Sequence, residues 1–286
     1  MDSGRHEPQE SATSDALRPN DPADTTTPYG VHAVAGTVGT AERTGSGVAR
    51  RDPRHIQRLS ERDLAALVFI GRWICSQYQL AIALFPGRSE TAVSRCVQRL
   101  VQLGLIEVTR WNRIGLNMLR LRSAGARLLI ERGLATEKDL FVRRTPIAQK
   151  DLPHHLWIVD TGLAFRALPV TYDVLPCWAV RRRFAGQGVP VPDLLAVNRS
   201  RMIAVEIDLA SERTKWLTEK LARLAETLKE GSADRPSAII VLTVGAHRIE
   251  SLRLQNATLD VPLVIDALPR VVGRPAVPAL AKLLSS

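Results

Sequence analysis

Hydrophobic patterning in this chain begins near residue 60. Ahead of it, residues 1–54 are rich in Ser, Thr, Pro, Gly, Asp and Ala, and they show neither a helical nor an alternating apolar repeat. The expectation there is a disordered tail. From Ser60 the character changes. Ser60-Glu61-Arg62-Asp63 resembles a capping box, and Leu64, Leu67, Val68 and Gly71 follow at helical spacing. A second short helix fits 77–85, ended by Pro86-Gly87. Ser89 caps a third helix running to 103, which Gly104 stops. Two alternating runs around a turn at 112–115 predict a β-hairpin, and a helix over 123–132 follows.

Helix, helix, turn, helix, hairpin is the plan of a winged helix-turn-helix, here assigned to residues 55–134. The third helix has two distinct faces. Val93, Val97, Leu100 and Leu103 form its apolar stripe, and Thr91, Ser94, Arg95, Gln98, Arg99 and Gln102 occupy the other side. Short polar and bidentate side chains of this kind suit base edges and phosphates in a major groove. The hairpin adds Arg110, Arg113 and Arg120. Nine arginines face three glutamates between Arg88 and Arg132, a local charge of +6.

Residues 135–150 carry little pattern and read as a linker. A second domain is expected over 151–270, with a tail over 271–286. It opens with a helix that carries Leu156, Val159, Leu163 and Leu168. Strands follow near 172–180, 194–197, 202–207, 238–244 and 262–265, with a strong helix over 212–230 and a shorter one after His247. This is an α/β domain with a mixed sheet. His154-His155 lie about 100° apart on their helix, so they read as structural or surface residues rather than ligands of one ion.

The acids near the second hairpin carry the candidate chemistry. A turn centred between Arg199 and Ser200 pairs Val197 with Met202, and therefore Asp193 with Glu206. Strand alternation places Asp208 on the same face as Glu206. Three converging carboxylates repel one another unless something positive stands close, either a metal ion or a basic side chain. Lys220 lies at the edge of the buried stripe of the following helix and is one candidate. Lys215 falls on its exposed face, and Arg181-Arg182-Arg183 is a further candidate. An Asp193/Glu206 pair with a nearby lysine can hold Mg²⁺ or Mn²⁺ and activate water on a phosphodiester. The alternative is a structural ion network.

Composition narrows the partners. The 286-residue chain has a net charge of +10 and a pI near 10.2, with arginine dominating the excess. This favours nucleic acid first and an anionic membrane surface second. Aromatics make up only 5%, against a stacking-based single-strand binder. Cys75, Cys96 and Cys177 have no CxxC spacing and read as reduced thiols of a cytoplasmic protein. Neither a transmembrane run nor a signal segment is legible, so no membrane association is expected.

From about Leu59 to Ile265 the chain resembles the replication-relaxation family of plasmid and mobile-element proteins. The first half carries "QLAIALFPGRSETAVSRCVQRLVQLGLIEV" and "LRLRSAGARLL"; the second carries "HHL", "PDLLAV" and "VEIDLASERTKWLTEKL". The resemblance implies a winged helix joined to a restriction-endonuclease-like PD-(D/E)xK fold. Asp193, Glu206 and Asp208 are then the signature positions, and Lys220 is the basic residue of the next helix. Asp208 stands where an active nuclease has lysine. The leading expectation is a sequence-preferring binder of double-stranded DNA, acting as a homodimer in replication, transfer or transcriptional control, with its nuclease-like centre inactive. One alternative is a Mg²⁺-dependent endonuclease or nickase. Another is a protein-interaction subunit among replication or transfer proteins.

Overall fold

The computed structural model describes residues 59–111, 115–142, 147–148, 150–186, 188, 190–199, 201–210, 213–229, 236–269 and 276–285. The tail expected over 1–54 and the turn residue Arg113 lie outside them. The described residues fall within one compact unit, Arg50–Ser286.

The first half follows the predicted order of elements. Helix α1 (Glu61–Trp73) starts on the capping box expected: Asp63 N–H donates to Ser60 Oγ, and Ser60 N–H donates back to Asp63 Oδ2. A second box, formed between Ser76 and Gln79, starts α2 (Gln77–Leu84). Helix α3 (Glu90–Gln102) stops before Gly104, whose φ of 66° suits glycine. Strands β2 (Ile106–Trp111) and β3 (Leu116–Leu121) make the hairpin, and α4 (Ser123–Glu131) follows. The two-residue strand β1 (Cys75–Ser76) adds antiparallel to the far side of β3, giving the order β1–β3–β2. A strand that short leaves no periodicity to read.

In the second half, α5 (Leu152–Arg166) precedes β4 (Asp173–Pro176), α6 (Cys177–Arg183), β5 (Leu194–Val197), β6 (Met202–Asp208), α7 (Thr214–Lys229), β7 (Ala238–Thr243), α8 (Ala246–Gln255) and β8 (Leu263–Ala267). The sheet runs β4–β5–β6–β7–β8, antiparallel as far as β6 and parallel beyond it. The expected register holds: Val197 pairs with Met202 and Leu194 with Val205, so Asp193 faces Glu206 at the end of the ladder. Every residue of β6 is buried, because the strand is covered on both sides. Ile203, Val205 and Ile207 join the core shared with α5, and Ala204 packs with Leu217, Leu221 and Leu224 of α7 and Leu252 of α8.

Two expectations change. The strand expected over 172–180 ends at Pro176, and the rest of it is α6. The alternation of Val174, Trp178 and Val180 mimics a strand. Val180 and Phe184, one helical turn apart, instead cover Leu195 and Met202. The segment taken for a C-terminal tail contains α9 (Ala276–Ser285), which packs on α5 and buries Val277.

The two halves share buried polar contacts. Gln79 Nε2 donates to Leu156 O and to Asp160 Oδ1, each at 2.9 Å. His155 Nε2 stands 2.7 Å from both Trp73 O and Ile74 O, so it donates to carbonyls that the end of α1 leaves unpaired. Gly162 of α5 admits the Trp73 ring so closely that an added Cβ would lie 2.7 Å from Cη2. Gly162→Ala therefore forces the ring or the helix to move. The expected destabilisation is about 1–3 kcal/mol, the usual cost of overpacking, read as a lower denaturation midpoint at unchanged slope.

Candidate functional site

The three carboxylates converge because β5 and β6 are neighbours with fixed register, and each acid meets a cation from a different helix. Asp193 precedes β5. Its Oδ2 accepts from Ile207 N–H at 2.9 Å and lies 3.1 Å from His154 Nε2 of α5. The same Nε2 is 2.9 Å from Ile207 O. With two acceptors before it, this nitrogen carries the proton. Glu206, 3% exposed, receives Lys220 Nζ of α7 on Oε2 at 2.7 Å. Its Oε1 is buried and has no hydrogen-bond partner. Asp208 takes a forked contact from Arg248 of α8, Nε to Oδ2 at 2.8 Å and Nη2 to Oδ1 at 3.1 Å. Thr243 Oγ1 and Ala210 N–H fill its remaining acceptor positions.

Electrostatics follows from these pairings. Burial, and then the adjacent Asp193 charge, push the Glu206 carboxyl well above the usual carboxylate range despite Lys220. Burial would raise Asp193 too, but the His154 hydrogen bond and charge, with Lys220 and Ile207 N–H, hold it below its ordinary value. Burial alone would lower His154, yet Asp193 raises it on balance. The folded pKa of His154 thus lies above its unfolded value of about 6.5. Its contribution to stability is complete below that value and is lost as pH rises through the folded one. Asp193 behaves oppositely: its contribution is present above about 3.9 and is lost as pH falls through its depressed folded value.

These residues, as arranged, do not fit Mg²⁺ or Mn²⁺. Such ions require several oxygen ligands in near-octahedral geometry. Both Asp208 oxygens go to Arg248, Asp193 Oδ2 to His154 and Ile207, and Glu206 Oε2 to Lys220. Among the described residues, no group of three His, Cys, Asp or Glu side chains could hold a metal ion. The sequence reading found Lys220 but missed His154 and Arg248. Lys215 is exposed beside Glu219. The α6 arginines are not among the three cations that pair these acids.

The basic surface of the first half is a separate feature. Thr91, Arg95, Gln98 and Gln102 of α3 are exposed along one stripe, opposite buried Val93, Cys96, Val97 and Leu100. Ser94 is half-buried and accepts from Gln77 Nε2 at 2.9 Å. Arg99 pairs with buried Asp63, so it also ties α3 to α1. Arg110 is exposed on β2. Arg120 differs from expectation: it is buried and bonds Glu107 at 2.7 Å across the hairpin, because Glu107 is its register partner. Arg113 lies outside the described residues.

Two measurements test the acid cluster. In an NMR titration, the His154 imidazole is expected to titrate above 6.5 and to fall in Asp193→Asn; an unchanged midpoint would remove the pairing. A double-mutant cycle over Asp208→Ala and Arg248→Ala is expected to cost about 3–5 kcal/mol for each single change, the range for breaking a buried pair. The double variant is expected to cost less than their sum by about 1–3 kcal/mol. Additive losses would dissolve the pair.

No helix among the described residues is long and apolar enough to cross a membrane. Neither the curated proteins nor the solved structures contain a match to this chain. The family model for replication-relaxation matches residues 73–243, well over half of the chain, from the end of α1 through β7. The match takes in α3, both strands of the acid hairpin and Lys220, and it stops just before Arg248. On that match, this chain belongs to the replication-relaxation family.

Proposed function

We propose that this protein is a sequence-preferring DNA-binding factor of a plasmid or mobile element, and that its acid-bearing half is a nuclease-like scaffold that no longer cuts. Residues 55–134 are read as a winged helix-turn-helix that lays α3 in the major groove, and residues 151–270 as a PD-(D/E)xK-like domain. The carrying observation is the exposed α3 stripe Thr91, Arg95, Gln98 and Gln102 over a fully apolar inner face. Arginine reads guanine and glutamine reads adenine through paired hydrogen bonds. Arg110 and the overall charge of +10 support backbone contact. A homodimer on two half-sites in the cytoplasm, serving replication, transfer or transcriptional control, follows from the usual use of such a module. Loss of cutting is supported by the acids themselves, since each is neutralised by a protein cation.

Fluorescence anisotropy on duplexes from the protein's own locus provides the test. Arg95→Ala or Gln98→Ala is expected to weaken the preferred site by about 5–150-fold, the equivalent of roughly 1–3 kcal/mol per base contact, and to relax preference at one position. Wild-type protein that binds no duplex at low salt would sink the reading. A second reading, the metal-dependent nickase, is favoured by one atom: Glu206 Oε1, buried without a partner. Mn²⁺-dependent nicking of supercoiled plasmid that disappears in Glu206→Ala would establish it in place of the first.

A further inference from the structure

The arginine run of α6, read from sequence as a possible neighbour of the acids, borders a cleft of its own. The cleft is about 540 Å³, with Lys138, Arg182 and Arg183 along it and Trp178 and Ala179 in its wall. We propose that it is a second nucleic-acid site, one that grips the phosphodiester backbone of duplex DNA and reads no bases. The inference deepens the DNA-binding reading and rests on it.

Charge comes first. Arg72, also at the cleft, is paired with Asp173 at 2.7 Å. The acid lining the cleft, Asp139, is turned to Thr136, accepting from its N–H at 2.8 Å and its hydroxyl at 2.6 Å. Arg182 Nη1 donates to Glu137 O and Lys138 O at 3.0 and 3.2 Å. Those acceptors are neutral carbonyls: they fix the guanidinium at the rim and leave its charge uncompensated. Cations crowd the neighbourhood, and Arg166 is held below its ordinary range by burial and then by Arg72. A phosphate supplies the missing anion, and guanidinium groups match its oxygens two at a time.

The aromatic wall decides against base recognition. Trp178 is only 9% exposed. Phe141 stacks on it with centroids 5.4 Å apart, and Arg182 lies 5.2 Å from its ring centre. Its indole N–H is spent on Arg72 O. A ring so covered offers no platform for a nucleobase, so the cleft presents charge without a stacking surface.

The test uses the full chain, anisotropy over a salt series, and two duplexes, one from the protein's own locus and one of scrambled sequence. Two variants cover the cleft. The triple variant Lys138→Ala, Arg182→Ala, Arg183→Ala removes its cations. Ala179→Glu leaves every cation in place and adds a carboxylate to the wall, so a folding defect in one does not decide the outcome. Both are expected to weaken the two duplexes about equally, by roughly tenfold or more. The triple variant is expected to reduce the slope of log K on log salt by about 2, at roughly 0.9 per phosphate released. The ratio between the duplexes stays at the wild-type value, whereas Arg95→Ala lowers it. Wild-type affinity and salt slope in both folded variants would overturn the cleft and leave the α3 reading standing. A changed duplex ratio would overturn the claim that no base is read. Wild-type protein that binds neither duplex would overturn both proposals together.

Discussion

Burying three carboxylates at the end of one hairpin is possible here only because three cations reach them from three helices. His154, Lys220 and Arg248 come from α5, α7 and α8 and meet Asp193, Glu206 and Asp208 respectively. An unpaired charge in such a place is costly enough to unfold a marginal domain. The pairs therefore lock helices from both faces of the sheet to its central strands. Each is also directional: the Arg248 fork and the His154 bridge between Asp193 and Ile207 fix orientation as well as proximity. The one atom left out, Glu206 Oε1, is where the arrangement is least satisfied.

The same demand for compensation organises the rest of the chain. Asp63 is buried, and it is met by the Ser60 cap and by Arg99, which draws one predicted DNA contact into a structural role. Glu107 takes Arg120 in the same way. Asp160, fully buried, meets Gln79 from the first half of the chain. Arginines on a basic protein thus divide into those that satisfy buried acids and those that remain outward with their charge exposed. Only the second group is available to a polyanion. By this sorting Arg95, Arg110 and Arg182 stand on the outward side, and Arg120 and Arg248 do not.

Legibility differed between the two kinds of feature for a physical reason. The capping box at Ser60, the Gly104 stop, the two-faced α3 and the hairpin register are local patterns, and each was readable because its cause lies within a few residues. Lys220 was readable because the apolar stripe of α7 fixes which way that helix turns. The α6 segment was misread because Val174, Trp178 and Val180 alternate like a strand. Only packing against Leu195 and Met202 selects the helix. Helix α9 was passed over because its short apolar segment gains stability mainly from α5.

The sequence by itself determined the order of elements, the α/β class, the opposition of Asp193 and Glu206, and the need for positive charge beside them. Those follow from periodicity, turn chemistry and Coulomb repulsion, all of which act over short stretches of chain. Tertiary structure alone decided which cations answer the acids. Arg248 reaches Asp208 because β7 lies parallel to β6, with Thr243 beside Asp208, and α8 begins just beyond. His154 reaches Asp193 across 39 residues because α5 lies against the sheet. No local pattern encodes either meeting, since a basic residue on a solvated helix and one that closes a buried pair are written with the same letters.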